Sequence, residues 1–330
     1  MIVGQDKAVV QFRTAWDSRT LHHAWLLAGP RGVGKASFAR AAATRVLAEA
    51  AGPAFDLPGL ATPPEHPMVR LIEAGSHPDL RLIERIENPK KPGTLFRNIT
   101  VAQVRELQEL FDFTPAMSPW RAAVIDAADD LETGAANALL KMLEEPPANC
   151  VFFLVAHAPG RLLSTIRSRC RRLDFQHLDD DAMTAILAAE KPELSSDERT
   201  RIIAAADGSA GRALAFAALD LAKLQESALR ILREGDPTNK RRAELALELG
   251  RKGAAERYAA FLELVPALVA REARRLNGGR RERALDAYAD ARELAALAPR
   301  LSLDPAATIF QLGGILAAVA PQPASSRPLP

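Results

Sequence analysis

Residues 24–35 read AWLLAGPRGVGK, and ASFARAAATRVLAEAA follows at 36–51. Five apolar residues, then a glycine-rich loop, then a run of strong helix formers give the local order strand, loop, helix. That order predicts a phosphate-binding unit inside an α/β domain. GPRGVGKA at 29–36 matches the pattern G-x-x-x-x-G-K-[ST] in its first seven positions. Glycines let backbone N–H groups converge on phosphate oxygens, the helix N-terminus adds partial positive charge, and the lysine reaches the terminal phosphates. Gly29, Gly32, Gly34 and Lys35 are therefore the candidate nucleotide-binding residues. The eighth position holds Ala36, where a Ser or Thr hydroxyl would normally bind magnesium. Ser37 lies one residue on, about 100° around a helix, and whether it replaces the missing ligand is left open.

A second apolar stretch carries the partner element. AAVIDAADD at 122–130 places Asp126 at the end of a predicted strand, where a carboxylate can hold magnesium through water, as in a Walker B element. In a hydrolysing site of this kind a Glu follows and polarises the attacking water; here Ala127 follows. The loss of both side chains points to a phosphate pocket kept in shape and stripped of its reaction. Backbone amides and Lys35 can still hold ADP or ATP weakly, and the residues leave its occupancy open.

Composition sets the frame around these motifs. The chain has 330 residues, with 43 Lys and Arg against 41 Asp and Glu, a formal net charge of +2. That balance excludes a histone-like coat and an acidic solvating tail, so any DNA contact must come from a local patch. Hydrophobic residues make up 48% and aromatics only 5%, so the core is built from Leu, Ala, Val and Ile. Two cysteines, Cys150 and Cys170, are too few for a disulfide scaffold or a four-cysteine zinc module. No apolar run is long enough to span a bilayer, and Asp6 and Lys7 interrupt the start where a secretory signal would be apolar. A cytoplasmic protein is expected.

Along the chain, further strands are predicted at 80–84 (LRLIE), 150–156 (CVFFLVA) and 171–175 (RRLDF). Helices are predicted from Thr100, an N-cap for VAQVRELQELFDF, over 135–145 up to Pro146, and over 162–167. The five prolines of 52–67 predict an extended loop. After 175 the strand signal ends. Residues 178–218 read as short helices, and 219–318 as helices broken near Gly235, Gly250, Asn277 and Asp304. Within them Leu221, Leu224, Ala228, Ile231 and Leu232 share a face, as do Tyr258, Phe261, Leu262, Val265 and Leu268, a core or subunit interface. Pro266 is expected to kink its helix. The division is an α/β domain at 1–175, a helical lid at 176–218, a helical collar at 219–320 and a disordered tail at 321–330, with no internal repeat.

HHAWLLAGPRGVGK at 22–35, VIDAADDLETGAANALLKMLEEPP at 124–147 and IRSRCRRLDF at 166–175 together resemble the clamp-loader branch of the AAA+ ATPases. The resemblance implies a P-loop domain with a RecA-like parallel sheet, a helical lid, and an all-α collar that builds a ring. With Ala36 and Ala127 it implies the non-hydrolysing stator of that ring. Its partners would be the motor (gamma or tau) and delta subunits in a heteropentamer that loads a beta sliding clamp on primed DNA, within a DNA-directed DNA polymerase holoenzyme. In this branch the arginine of Ser168-Arg169-Cys170 projects into a neighbour's ATP site, so Arg169 is the candidate catalytic residue, acting in trans. GSAGRAL at 208–214 resembles the sensor-2 segment, with Arg212 one residue later than motor subunits place it. His157 sits where sensor 1 usually has Thr or Asn, read equally as a local histidine or a phosphate contact. Many relatives carry a zinc module after the first helix; residues 51–76 hold no cysteine, so no zinc is expected.

Other readings use different features. An ATP-hydrolysing motor subunit would need Ser37 and Asp126 to serve despite Ala36 and Ala127. A stand-alone DNA-binding protein is disfavoured by the +2 charge, and a small-molecule kinase by the long helical portion. REARRLNGGRRER at 271–283 has six arginines against two glutamates. It could track a phosphate backbone or face an acidic partner, with a solvated helix end as the default. Lys90, Lys91 and Arg97 in the polar loop are read the same way.

Overall fold

A computed structural model describes residues 2–89, 95–219 and 221–321. Lys90, Lys91 and the tail from Gln322 lie outside the described residues. The chain forms two compact units, Met1–Glu190 with Asp207–Gly211, and Lys191–Ala206 with Arg212–Pro330.

The first unit holds α1 (Asp6–Asp17), β1 (Ala24–Ala28), α2 (Lys35–Ala51), α3 (Pro67–Glu73), β2 (Leu80–Glu84), α4 (Val101–Asp112), β3 (Arg121–Asp126), α5 (Thr133–Glu144), β4 (Cys150–Ala156), α6 (Ser164–Ser168), β5 (Arg171–Asp174) and α7 (Asp180–Glu190). The five predicted strands pair in parallel in the order β2-β3-β4-β1-β5. The architecture is the expected P-loop α/β domain with a helical part after it. β1 and β4 are buried along their whole length, as continuous apolar strands covered on both faces must be.

Successive strand residues point to opposite faces, and this splits the core. Leu26, Ile125, Phe152 and Leu154 join the side chains of α4, α5 and α6. Trp25, Leu27, Val124, Phe153 and Val155 join those of α1 and α2. Fully burying each large apolar side chain is worth about 1.5–3 kcal/mol, so the central strands anchor the loops at their C-terminal ends. α4 starts in a capping box: the Thr100 N–H donates to Gln103 Oε1 at 3.1 Å.

The proline-rich stretch is a loop, as predicted, and at its last residue it runs into a helix that the sequence reading did not announce. α3 begins at Pro67, where a missing N–H costs nothing because it has no intrahelical partner. The His66 ring caps it by accepting from the Met68 N–H at 3.3 Å. The loop before it is pinned by buried Arg45, which lies 4.4 Å from the Phe55 ring, pairs with Glu49 at 2.5 Å and donates to the Ala61 carbonyl.

The second unit is all helical: α8 (Ser196–Ala206), α9 (Ala210–Ala218, whose first two residues belong to the first unit), α10 (Ala222–Glu234), α11 (Lys240–Leu249), α12 (Ala255–Ala273), α13 (Gly278–Leu301) and α14 (Pro305–Ala317). The breaks fall where glycine, asparagine and Asp-Pro predicted them. Leu224, Ala228, Ile231 and Leu232 are buried, as are Phe261, Leu262, Val265 and Leu268. α12 continues through Pro266 as one helix. No helix among the described residues is long and apolar enough to cross a membrane.

Candidate nucleotide-binding site

The site forms where β1, β3 and β4 end. β1 runs straight into the glycine loop, and α2 starts at Lys35 after Gly34 in a left-handed conformation at φ 96°. Gly29 (φ 153°) is closely hemmed in by backbone: a Cβ there would lie 2.3 Å from the Phe175 carbonyl oxygen, where the chain leaves β5. Gly32 (φ 77°) meets a second segment: the Gly211 N–H donates to its carbonyl at 2.9 Å, and the Ser209 hydroxyl to the Arg31 carbonyl at 3.0 Å. Glycine serves at both positions because the backbone is left-handed and another chain segment is close.

Lys35 is almost fully buried, and its ammonium donates to the Gly29 carbonyl at 2.8 Å and to the Pro30 carbonyl. Burial lowers its pKa from 10.5 to about 8; the Asp126 and Asp129 carboxylates oppose that shift and the Arg31 guanidinium adds to it. At neutral pH it keeps its proton and is held by oxygens that a phosphate can replace.

Asp126 is the last residue of β3, in register with Val155 of β4. Ala127 beyond it is buried. Asp129, one turn further, accepts from the backbone N–H of His157 at 2.9 Å and of Ala158 at 3.2 Å, one on each carboxylate oxygen. This clamp ties the end of β3 to the end of β4. Inside it the His157 Nδ1 is buried with no hydrogen-bond partner among the described residues. Burial, and next the Lys35 ammonium, lower the His157 pKa, with Asp129 and Asp126 opposing and Arg31 adding to the fall. The ring is therefore neutral at physiological pH.

Gly29, Gly32, Gly34, Lys35 and Asp126 thus lie at one sheet edge, with Asp129 and His157 beside them. Asp129 was missed as a site residue; its only signal was the string DAADD. Ser37 is exposed on the first turn of α2, whereas Lys35 is buried and Ala36 half-buried. The cradle can bind phosphate through amides and one cation. The side chain of residue 36 brings no oxygen for a metal and that of residue 127 none for a water.

Arg169 follows α6, away from the cradle's own loop. Its guanidinium pairs with Glu144 at the end of α5 at 2.8 Å and donates to the Thr165 carbonyl at 3.0 Å, leaving the side chain 34% exposed. The Glu144 contact was not legible in the sequence. Ser168 donates to the same Thr165 carbonyl at 3.0 Å. Burial pushes the Cys170 thiol up to about 12, so it is no nucleophile. Arg212 belongs to the second unit, where its guanidinium donates to the Ala206 carbonyl at 3.4 Å.

The family described as DNA polymerase III, delta subunit, matches residues 4–179. The tau subunit of DNA polymerase III from Bacillus subtilis is 32% identical over 219 residues, 65% of this chain and 36% of that protein. The delta' subunit from Pseudomonas aeruginosa is 33% identical over 190 residues, 57% of this chain and 53% of that one. The chain thus spans about a quarter to a half of the length of the curated relatives it matches. A crystal structure of a gamma subunit-related protein from Thermotoga maritima aligns at TM-score 0.47 and 16% identity, over 93% of this chain and 98% of that chain.

Proposed function

The chain belongs to the DNA polymerase III, delta subunit, family, and from that premise we propose that it is the delta-prime stator of a bacterial clamp loader. It is a subunit that does not hydrolyse ATP itself and donates Arg169 to the ATP site of a neighbouring motor subunit. The observation that carries this reading is a complete phosphate cradle lacking both reactive side chains, with Ala36 in the metal position and Ala127 in the water position. Phosphoryl transfer relies on positioning and charge stabilisation. A site without metal ligand and water-orienting group therefore binds without turning over.

In the proposed assembly, residues 1–175 form the ATPase-like domain, 176–218 a lid and 219–320 a collar. The partners are gamma or tau subunits and delta in a cytoplasmic heteropentamer, which loads the beta sliding clamp on primed DNA. A guanidinium brought to the transferred phosphoryl group is worth about 10³–10⁵ in rate in related phosphoryl-transfer systems. Arg169 suits this role because it is partly exposed and, among the described residues, held by a surface ion pair and one carbonyl. Nucleotide, if held, sits on the amides of the 29–35 loop and Lys35, and no zinc is required.

The test is reconstitution with motor subunits. The isolated chain shows no magnesium-dependent ATP hydrolysis. Arg169→Ala leaves assembly intact and lowers turnover at the adjoining motor site by about 10³-fold or more. Unchanged turnover would remove the finger role. The second reading, an ATP-hydrolysing gamma/tau-like motor, is favoured by the equally close tau relative. Hydrolysis by the isolated chain that disappears in Lys35→Ala would establish it instead.

A further inference from the structure

We propose that the turn joining α12 to α13 is a binding surface for the phosphate backbone of duplex nucleic acid, recognised without regard to base sequence. Residues 274–283 carry five arginines and one glutamate, a net +4, whereas the whole chain carries +2. The other 320 residues therefore sum to 2 − 4 = −2. The positive charge of this protein is gathered at one helix junction, an arrangement that focuses field on a polyanion.

The tertiary structure leaves that charge uncompensated. Glu272, the nearest carboxylate outside the segment, is buried and held by a two-pronged contact from Arg233 of α10, at 3.1 and 3.0 Å. That pairing, with smaller help from Arg275 and Arg271, keeps Glu272 ionised below the ordinary carboxylate range. Arg271 is engaged by the Ala204 carbonyl. Among the described residues, none of Arg274, Arg275, Arg280, Arg281 and Arg283 has a carboxylate oxygen within 4.0 Å. Arg274, Arg275 and Arg281 are exposed. Arg280 and Arg283 are half-buried, and each has an Nε shielded from solvent with no acceptor among the described residues.

The character of the surrounding residues selects the ligand. A protein partner needs a buried apolar or aromatic anchor, and the only large apolar residue of this segment is half-buried Leu276. Single strands are gripped by aromatic stacking, and residues 274–283 contain no aromatic residue. Guanidinium forks matched to phosphate oxygens are what remains. Duplex DNA presents one charge per about 1.7 Å of axis. These residues belong to the second unit, whereas Arg169 and the phosphate cradle belong to the first, and the proposal does not depend on the stator reading.

The probe is a fluorescein-labelled 20-base-pair duplex titrated with the full chain, without nucleotide, followed by anisotropy at salt concentrations from 50 to 200 mM. Five phosphate contacts give a log–log salt slope of about −4.5, a loss of about 500-fold across that range. Arg274→Ala/Arg275→Ala/Arg281→Ala removes three contacts and reduces the slope to about −1.8, a loss of about 12-fold. The triple lysine variant at the same positions keeps the steep slope and guards against misfolding as the cause. Absence of binding by the wild-type chain at 50 mM salt overturns the proposal. So does an unchanged slope in the triple alanine variant. Displacement of the duplex by polyglutamate at matched charge also overturns it, in favour of an acidic protein partner. Because no ATP site is involved, failure here leaves the Arg169 experiment undecided, and the reverse holds too.

Discussion

Lys35→Met is the substitution whose consequence can be worked out furthest. Methionine keeps most of the length of the side chain and removes the ammonium. In the folded protein the Lys35 pKa is lowered to about 8, while the unfolded chain keeps the ordinary 10.5. Between those values the unfolded state binds more protons, so stability rises with pH. Integrated from pH 7 to pH 9.5, this one group stabilises the wild-type protein by about 2 kcal/mol. The methionine variant lacks that gain, and every other titrating group is common to both proteins and cancels in the difference. All three tryptophans, Trp16, Trp25 and Trp120, lie in the first unit, so tryptophan fluorescence in urea reports on the unit that contains the loop. The expected result is that the stability difference between wild type and variant shifts by about 2 kcal/mol in favour of the wild type from pH 7 to pH 9.5. A shift below about 0.5 kcal/mol, against the 1.36 kcal/mol of one pKa unit, would mean the ammonium is not desolvated. The loop would then not be closed around it.

Four further outcomes are expected. Asp79→Asn should cost about 3 kcal/mol in urea unfolding, because the buried carboxylate accepts from the backbone N–H of Ala116, Met117 and Ser118 at 2.7, 2.8 and 2.9 Å. A cost under about 1 kcal/mol would contradict charge-assisted bonding there. Gly29→Ala should destabilise the first unit by about 2–4 kcal/mol, since its Cβ would meet the Phe175 carbonyl at 2.3 Å; an unchanged melting temperature would refute the packing argument. Glu144→Ala should change stability by less than about 1 kcal/mol, and the difference should vanish in 1 M salt, because the Glu144–Arg169 pair is partly exposed. Cys150 and Cys170, both pushed up to about 12 by burial, should fail to react with a thiol reagent at pH 8 until the protein is unfolded. Rapid labelling of either in the native state would overturn their assignment as shielded thiols.

Much of the candidate phosphate site is readable one residue at a time, and the reason is local. Strand, loop and helix are signalled by an apolar run, by glycines and by helix formers within about a dozen positions. Ala36 and Ala127 are informative because a side chain without oxygen cannot hold metal or water in any fold. The same locality made β1 to β5 legible, while α3 was hidden because proline at a first helical position looks the same as proline in a loop. What the linear order could not supply is anything that depends on strand order. β4 lies between β1 and β3, and only that placement brings Asp129 onto the His157 and Ala158 amides. Glu144 meets Arg169 because α5 and α6 pack on one face of the sheet, although the two residues are far apart in the chain. Gly211 reaches the Gly32 carbonyl across well over a hundred intervening residues. The composition of the α12–α13 turn was visible from the start. Whether its arginines were neutralised was decided by the partners that folding brought to Glu272 and Arg271, because ion pairing acts over a few ångströms of space and is blind to distance along the chain.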